Sequence, residues 1–115
     1  MARRIRIELE PEVERWLEEL TDDDFHQAAQ ALDRLEAFGS HLRMPFSRPL
    51  GDALFELRFY CQGVSRRITF FYGHGDRVIM LTTFRKQRAN ERREIERARR
   101  ALLRCQAEHR GGNHG

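Results

Sequence analysis

A run of three short apolar segments joined by tight turns is the feature that most limits how this chain can fold. The segments are Leu54–Tyr60, Arg66–Tyr72 and Val78–Phe84. Each has the length and the aromatic and β-branched content of a strand, and both connections, residues 62–63 and 73–76, contain glycine where a hairpin turn requires positive φ. We therefore predict three antiparallel neighbours. The last segment is almost continuously apolar, so it is either the central strand or covered on both faces.

The first of these strands has two chemically different faces. Its apolar residues alternate with polar ones, which places the two kinds on opposite faces of the sheet. One face carries Phe55, Leu57 and Phe59, and the other carries Glu56, Arg58 and Tyr60. We expect the apolar face to pack on helices and the polar face to be open for function.

The N-terminal part of the chain predicts a strand followed by a helical hairpin. Residues Arg4–Leu9 alternate like a half-buried strand, and Pro11 ends this strand and suits the first turn of a helix. A second helix is expected from Thr21, because Asp24 completes a capping box, and Gly39 is placed to end it. The buried stripe of the first helix is predicted to be Val13, Trp16, Leu17 and Leu20. That of the second is predicted to be Phe25, Ala28, Ala29, Leu32 and Leu35.

Residues 40–52 contain both remaining prolines, Pro45 and Pro49, together with Gly51. This composition predicts a surface loop. The basic side chains of the loop could contact a ligand, but a solvated loop explains them more simply. These side chains are His41, Arg43 and Arg48.

Positive charge is concentrated near the C-terminus. Residues 85–104 hold nine Lys and Arg against three Glu, a net charge of +6, whereas the whole chain carries only +3, so that the rest sums to −3. A helix is expected from about Ala89, with a buried stripe of Ile95, Ala98, Leu102 and Cys105. A basic end on a mildly acidic body indicates a polyanionic partner at one face, although a solvated surface with Glu–Arg pairs would have the same composition. Residues 109–115 are predicted to form a disordered tail.

The predicted order is β-α-α-β-β-β-α, an α+β fold with a helical hairpin and a C-terminal helix on a small, mainly antiparallel twisted sheet. The 115 residues suffice for one domain, assigned to residues 1–108. We find no apolar run of membrane-spanning length, and the basic N-terminus leads into alternation rather than a signal-peptide core, so we expect a cytoplasmic protein. Cys61 and Cys105 are predicted to be reduced thiols. The scattered histidines argue against a zinc site, and we expect no cofactor.

Four stretches of this sequence resemble the RelE/HigB-type toxins of bacterial toxin–antitoxin systems. They are Gly-Asp-Ala-Leu-Phe-Glu-Leu-Arg at 51–58, Arg-Ile-Thr-Phe-Phe-Tyr at 67–72, Ile-Met-Leu-Thr-Thr-Phe-Arg-Lys at 79–86 and Glu-Ile-Glu-Arg-Ala at 94–98. Within the RelE/ParE superfamily, the chain is most similar to the phage-derived branch that carries HigB-like and Tad-like toxins. The resemblance covers about residues 3–104 and implies a RelE-like fold.

The resemblance also implies an activity, that of a ribosome-dependent endoribonuclease (an mRNA interferase) that inhibits translation. In this chemistry the RNA 2′-hydroxyl attacks the adjacent phosphorus without a metal, and the protein positions the strand and stabilises the phosphoryl charge. Carried over by position, Arg58, Arg67 and Lys86 are the expected catalytic residues. The expected RNA-binding residues are Arg85, Arg88, Arg92 and Arg93. Lys86, Arg85 and Arg88 are adjacent, and any one of them could make the phosphate contact.

Two features depart from the family pattern. Some members have a tyrosine or histidine near the last helix, whereas residues 87–93 contain neither. Glu56 stands where a second basic residue would precede Arg58. Glu56 is either a general base or an ion-pair partner of Arg58, and we favour the ion pair.

Two other functions stay open at the level of sequence. One is non-enzymatic inhibition of DNA gyrase, as in the ParE-like toxins, and the other is a phage-derived nucleic-acid-binding accessory domain. Either toxin implies a cognate antitoxin, which we expect to be a helix-turn-helix, HigA-like protein encoded next to it. The expected partners of the nuclease are this antitoxin, the ribosome and mRNA, with no membrane.

Overall fold

The computed structural model describes residues 5–112, and it describes side chains as far as residue 108. The elements in chain order are β1 (Arg6–Leu9), α1 (Pro11–Glu18), α2 (Asp22–Phe38), β2 (Ser47–Gly51), β3 (Leu54–Cys61), β4 (Val64–Tyr72), β5 (Arg77–Arg85) and α3 (Glu91–Gly112). The strands form one sheet in the order β1-β5-β4-β3-β2, in which β1 is parallel to β5 and the other pairs are antiparallel. The predicted α+β fold is confirmed, and the apolar strand β5 lies inside the sheet.

Helices α1 and α2 cover one face of this sheet as the predicted hairpin. Pro11 occupies the first turn of α1, and the backbone N–H of Asp24 donates to Thr21 Oγ1 at 3.3 Å, which caps α2. The first core lies between this hairpin and the sheet. Its fully buried members include Val13, Ala28 and Leu35 from the helices and Leu57, Ile68 and Phe70 from the strands.

The predicted stripe of α2 is wrong at Phe25, whose side chain is 48% exposed, while Ala31 lies in the core. Phe25 sits in the first turn of α2, above the end of β3. There the Cys61 thiol contacts the carbonyl oxygen of Asp24 at 3.4 Å. Because the strand ends at Cys61, the sheet offers little surface to the Phe25 ring.

The prediction of a loop over residues 40–52 is also wrong, because this segment contains an edge strand. Ser47–Gly51 pairs antiparallel with β3, with a register shift between Pro49 and Gly51. Proline lacks only the donor that an edge strand directs away from the sheet, so it is tolerated there, and Gly51 adopts φ of 92° at the irregularity. The strand matters for function because it carries Arg48 to the sheet.

Helix α3 packs on the opposite face and forms a second core there. Ala98, Leu102 and Cys105 of α3 contact Leu54, Phe71, Ile79 and Leu81 of the sheet, which confirms the predicted stripe of the last helix. Cys61 and Cys105 are free thiols in cores on opposite faces of the sheet, so they are too far apart in the fold to pair. Because α3 covers part of this face, the polar side chains of β3 are open to solvent only where α3 does not cover the sheet.

The ends of α3 and β1 differ slightly from the predicted bounds. The last helix begins at Glu91 and continues to Gly112, so it includes residues 109–112 of the segment assigned to a tail. Residues 113–115 and the predicted strand residue Arg4 lie outside the described part of the chain. Among residues 5–112, we find no helix with an apolar stretch that could cross a bilayer.

Candidate active site

The three basic residues expected to act in catalysis lie at one end of three adjacent strands. Arg58 of β3 and Arg67 of β4 are directly opposite each other in the strand register. Lys86 follows β5, and its backbone N–H donates to the carbonyl oxygen of Ser65 at 2.8 Å. The pairing of β3, β4 and β5 therefore brings residues that are far apart in sequence to the same region of the sheet.

Glu56 lies at the centre of this group. Its Oε2 atom is 3.1 Å from Nε of Arg48, 3.7 Å from Nε of Arg67 and 3.8 Å from Nε of Arg58. The Glu56 side chain is 1% exposed, so it cannot reach a substrate in solvent. This geometry favours the role of ion-pair partner over that of general base, and it shows that Glu56 holds three arginines rather than Arg58 alone.

Burial and charge oppose each other at Glu56. Burial raises the pKa of this carboxyl, while the positive charges of Arg48, Arg67 and Arg58 lower it, and the net direction is upward from 4.5. Burial also lowers the pKa of Arg67, and repulsion from Arg58 adds to this, although Glu56 partly compensates. A guanidinium titrates so far above neutrality that Arg67 stays charged. The buried cluster is thus costly to assemble, as is typical of functional sites.

The guanidinium of Arg67 is fixed from the side of its own strand. Its Nη1 atom donates to Ser65 Oγ at 2.7 Å and to the carbonyl oxygen of Arg66 at 3.2 Å. Among the described residues, Nε of Arg48, Nε of Arg67 and both carboxylate oxygens of Glu56 are buried without a hydrogen-bond partner. The arginines are therefore held near Glu56 by charge rather than by directed hydrogen bonds, so that an incoming anion can still attract them.

Arg48 and Glu91 extend the cluster to its outer edge. Arg48 of β2 is opposite Glu56 in the register, and its Nη2 donates to Oε1 of Glu91 at 2.6 Å. The other carboxylate oxygen of Glu91 is 3.9 Å from Nζ of Lys86. Four cations and two carboxylates thus form one group with a net charge of +2. The composition of residues 40–52 predicts a solvated loop at Arg48, and this prediction is wrong. The alternation of Ser47, Arg48 and Pro49 is the sequence signal for a strand, and Pro45 and Pro49 mask it.

Arg58 and Arg67 also line an open groove of about 460 Å³ between α2, the segment before β2, and the ends of β3 and β4. Two aromatic side chains lie in this groove: Tyr60 is 76% exposed and Phe46 is 38% exposed. The guanidinium of Arg34 lies 4.0 Å from the centre of the Phe46 ring. Exposed rings beside cations can stack with nucleic-acid bases while the cations bind phosphate. The alternation of β3 predicts Tyr60 on the open face, but no feature of the sequence assigns this residue to the site.

The four arginines expected to bind RNA do not all join the cluster. Arg85 is paired with Arg66, whose guanidinium packs 4.4 Å from the ring of Trp16 in α1. Strand alternation therefore directs Arg85 toward the face covered by α1 and α2, away from Arg67. Arg88 precedes α3, and Arg92 and Arg93 occupy its first turn; all three are exposed.

The chemistry available at this site is charge stabilisation by fixed guanidinium groups, and Lys86, which contacts the cluster through Glu91, is a group that can donate a proton. Within the described residues, we find no group of three or more His, Cys, Asp and Glu side chains that could hold a metal ion. Paired guanidinium groups bind two phosphate oxygens at once, so the arrangement suits a phosphodiester.

Comparison with known proteins identifies the family of this chain. None of the curated proteins matches the chain. The profile of the family described as phage derived protein Gp49-like matches residues 15–103, which include every residue of the cluster. This match covers most of the chain and extends from α1 to the buried stripe of α3. The chain therefore belongs to the phage-derived Gp49-like family, a toxin-like family related to RelE and HigB.

Proposed function

We propose that this protein is the toxin of a type II toxin–antitoxin system and that it cuts messenger RNA in the ribosomal A site. The observation that carries this proposal is the register of β3 and β4, which places Arg58 directly opposite Arg67 at the mouth of a groove with exposed aromatic rings. Membership in a toxin-like family supports the same function.

The proposed reaction is an in-line transesterification within the RNA strand. The 2′-hydroxyl loses its proton to solvent water and its oxygen attacks the adjacent phosphorus. The bond to the 5′-oxygen breaks, and the products are a 2′,3′-cyclic phosphate and a 5′-hydroxyl. Arg58 and Arg67 stabilise the negative charge that grows on the non-bridging oxygens, and Lys86 protonates the leaving 5′-oxygen. The exposure of the side chains supports this division, since Arg67 is 6% exposed and fixed, whereas the Lys86 side chain is 28% exposed.

Tyr60 supplies the aromatic group that residues 87–93 lack. Its side chain is the most exposed of the large apolar side chains identified at the surface, and it follows Arg58 on the same face of β3. We propose that the Tyr60 ring stacks on a base next to the scissile phosphate and so sets the position of the strand.

An antitoxin must silence such an activity in the host cell. We propose a helix-turn-helix antitoxin with an acidic or apolar segment that covers the cationic groove and blocks access to the phosphate. The complex would bind its own promoter through the antitoxin. A small DNA-binding gene beside the toxin gene is the expected arrangement.

The test is a translation reaction that contains the purified protein, followed by primer extension on the message. Stops within codons that depend on the presence of ribosomes support the proposal. An intact message combined with gyrase-dependent breakage of plasmid DNA would instead identify a gyrase inhibitor. Message that is cut equally without ribosomes would contradict the ribosome-dependent part of the proposal.

A further inference from the structure

The two carboxylates of the cationic cluster differ in how firmly they are held. Glu56 is 1% exposed and lies beneath the arginines, whereas the Glu91 side chain is 36% exposed and belongs to the first residue of α3. Glu56 is therefore a fixed counter-ion. Glu91 reaches the cluster from its outer side and can leave by rotation of its side chain.

The Glu91 carboxylate contacts two cations of the cluster, as a bound anion would. One of its oxygens accepts a hydrogen bond from Nη2 of Arg48 at 2.6 Å, and the other lies 3.9 Å from Nζ of Lys86. A phosphodiester likewise carries one negative charge on two free oxygens. The Arg48 guanidinium is held from behind by Glu56 at its Nε atom, so its outer edge is turned toward whichever anion lies at the position of Glu91. The N-terminal end of a long helix further favours a negative charge there.

We infer that Arg48 and Lys86 form a second phosphate subsite beside Arg58 and Arg67, and that the Glu91 carboxylate occupies it until RNA displaces it. This inference rests on the proposed function, because it takes the ligand to be single-stranded RNA. The subsite holds the phosphate next to the scissile one, and Glu91 lowers the affinity of the free protein for RNA. Displacement of Glu91 leaves four cations with one carboxylate, which raises the net charge of the cluster from +2 to +3.

The experiment measures binding of a 2′-O-methyl RNA strand, which cannot be cut, by fluorescence anisotropy at several salt concentrations. We expect Glu91→Gln to raise the affinity about three- to tenfold, because RNA no longer has to displace a carboxylate. The slope of the salt dependence should change little, because the same phosphate contacts form in both proteins. Glu96→Gln is the matched control, because Glu96 is exposed on the same helix and the charge change is the same. Arg48→Gln should weaken RNA binding by itself and, in the double variant, should remove the gain of Glu91→Gln.

Equal gains from Glu91→Gln and Glu96→Gln would overturn the inference, since they would reflect long-range charge alone. A lower affinity of Glu91→Gln for RNA, or no measurable RNA binding by any variant at low salt, would overturn the inference as well. The result is separable from the proposed function because the strand is not cut. Intact message in the translation reaction with selective gain from Glu91→Gln refutes the nuclease but keeps the subsite, and cut message with equal gains refutes the subsite alone.

Discussion

At the scale of single residues, the site depends on one buried carboxylate that gathers three arginines. Oε2 of Glu56 lies within 4 Å of Nε atoms from β2, β3 and β4, so the position of each guanidinium depends on the other strands. The raised pKa of Glu56 means that the fold disfavours its ionised form. Glu56 therefore serves the geometry of the site at the expense of stability.

Glu56→Gln separates these two effects. Because the folded-state pKa is raised, the wild type loses stability relative to the neutral glutamine variant as pH rises through and above 4.5. We expect the free energy of unfolding of Glu56→Gln to improve relative to wild type between pH 4 and pH 7, while growth arrest weakens because Arg48 and Arg58 lose their common partner. Urea unfolding at both pH values measures this. A variant that instead loses stability with rising pH would show that the arginines outweigh burial.

Arg67 is the residue whose loss should affect chemistry most. It is fixed by Ser65 and the Arg66 carbonyl and directly faces Arg58. Removal of one positioned transition-state donor costs about 10²- to 10³-fold in rate, so Arg67→Ala should abolish growth arrest while antitoxin binding persists. Induced expression followed by growth curves, with circular dichroism to confirm folding, provides the measurement. The control is Arg15→Ala, which makes an equal charge change at an exposed residue of α1 and should leave growth arrest intact. Undiminished growth arrest by Arg67→Ala would remove Arg67 from the site.

At the scale of secondary-structure elements, α1 and α3 lie on opposite faces of the sheet and are connected by an ion pair between Glu12 and Arg97. Arg97 of α3 donates two hydrogen bonds to the Glu12 carboxylate of α1, one of them at 2.9 Å. The same carboxylate accepts from the backbone N–H of Thr83 in β5 at 2.9 Å. This contact ties three elements together close to the start of α3, and so supports the position of Glu91.

Glu12→Gln tests the strength of this connection. Burial alone would raise the pKa of Glu12, but hydrogen bonds from Arg97 and Thr83 and the charges of Arg97 and Arg66 outweigh it, so the pKa is lowered from 4.5. The contribution of the ionised carboxylate is therefore present above pH 4.5 and is lost as pH falls through the folded-state value. Since both partners are more than a third exposed, we expect a loss of only about 1 kcal/mol in the free energy of unfolding at pH 7.

The matched control for this connection is Glu14→Gln, which changes an exposed carboxylate in the same first turn of α1. Chemical unfolding at pH 7 and pH 3 should show a difference between the two variants at the higher pH only. A Glu12→Gln defect that persists unchanged at pH 3 would contradict an ionic origin.

At the scale of the whole molecule, positive charge is concentrated in and just before α3. The segment 85–104 carries +6 while the remaining residues sum to −3, and the buried cluster opens on the side where α3 begins. The region around the start of α3 is therefore suited to a polyanion.

Association with ribosomes should accordingly weaken steeply with salt. Three phosphate contacts predict roughly a twenty- to fortyfold loss of affinity between 50 and 200 mM salt. Co-sedimentation at constant magnesium gives the measurement. Arg15→Gln, which changes an exposed residue of α1, should preserve the slope of affinity against salt. Binding that is independent of salt would rule out phosphate contacts as the main source of affinity.

The sequence alone determined the elements whose pattern is local. Alternation identified β1 and β3, the period of 3.6 identified the helices, Thr21 and Asp24 identified the start of α2, and glycines marked the hairpin turns. The family resemblance led to Arg58, Arg67 and Lys86. Such features depend on neighbours in the chain, so they can be seen without a fold.

Tertiary structure alone decided which side chains share a site. The sequence predicts a loop at β2 because Pro49 lies in the strand and Pro45 just before it, and only pairing with β3 shows that an edge strand tolerates Pro49. That pairing brings Arg48 to Glu56, and the packing of α3 brings Glu91 to Arg48, contacts between residues separated by 8 and 43 positions. Register and packing depend on the whole chain at once, and for this reason the counter-ions and the groove beside Tyr60 became visible only in three dimensions.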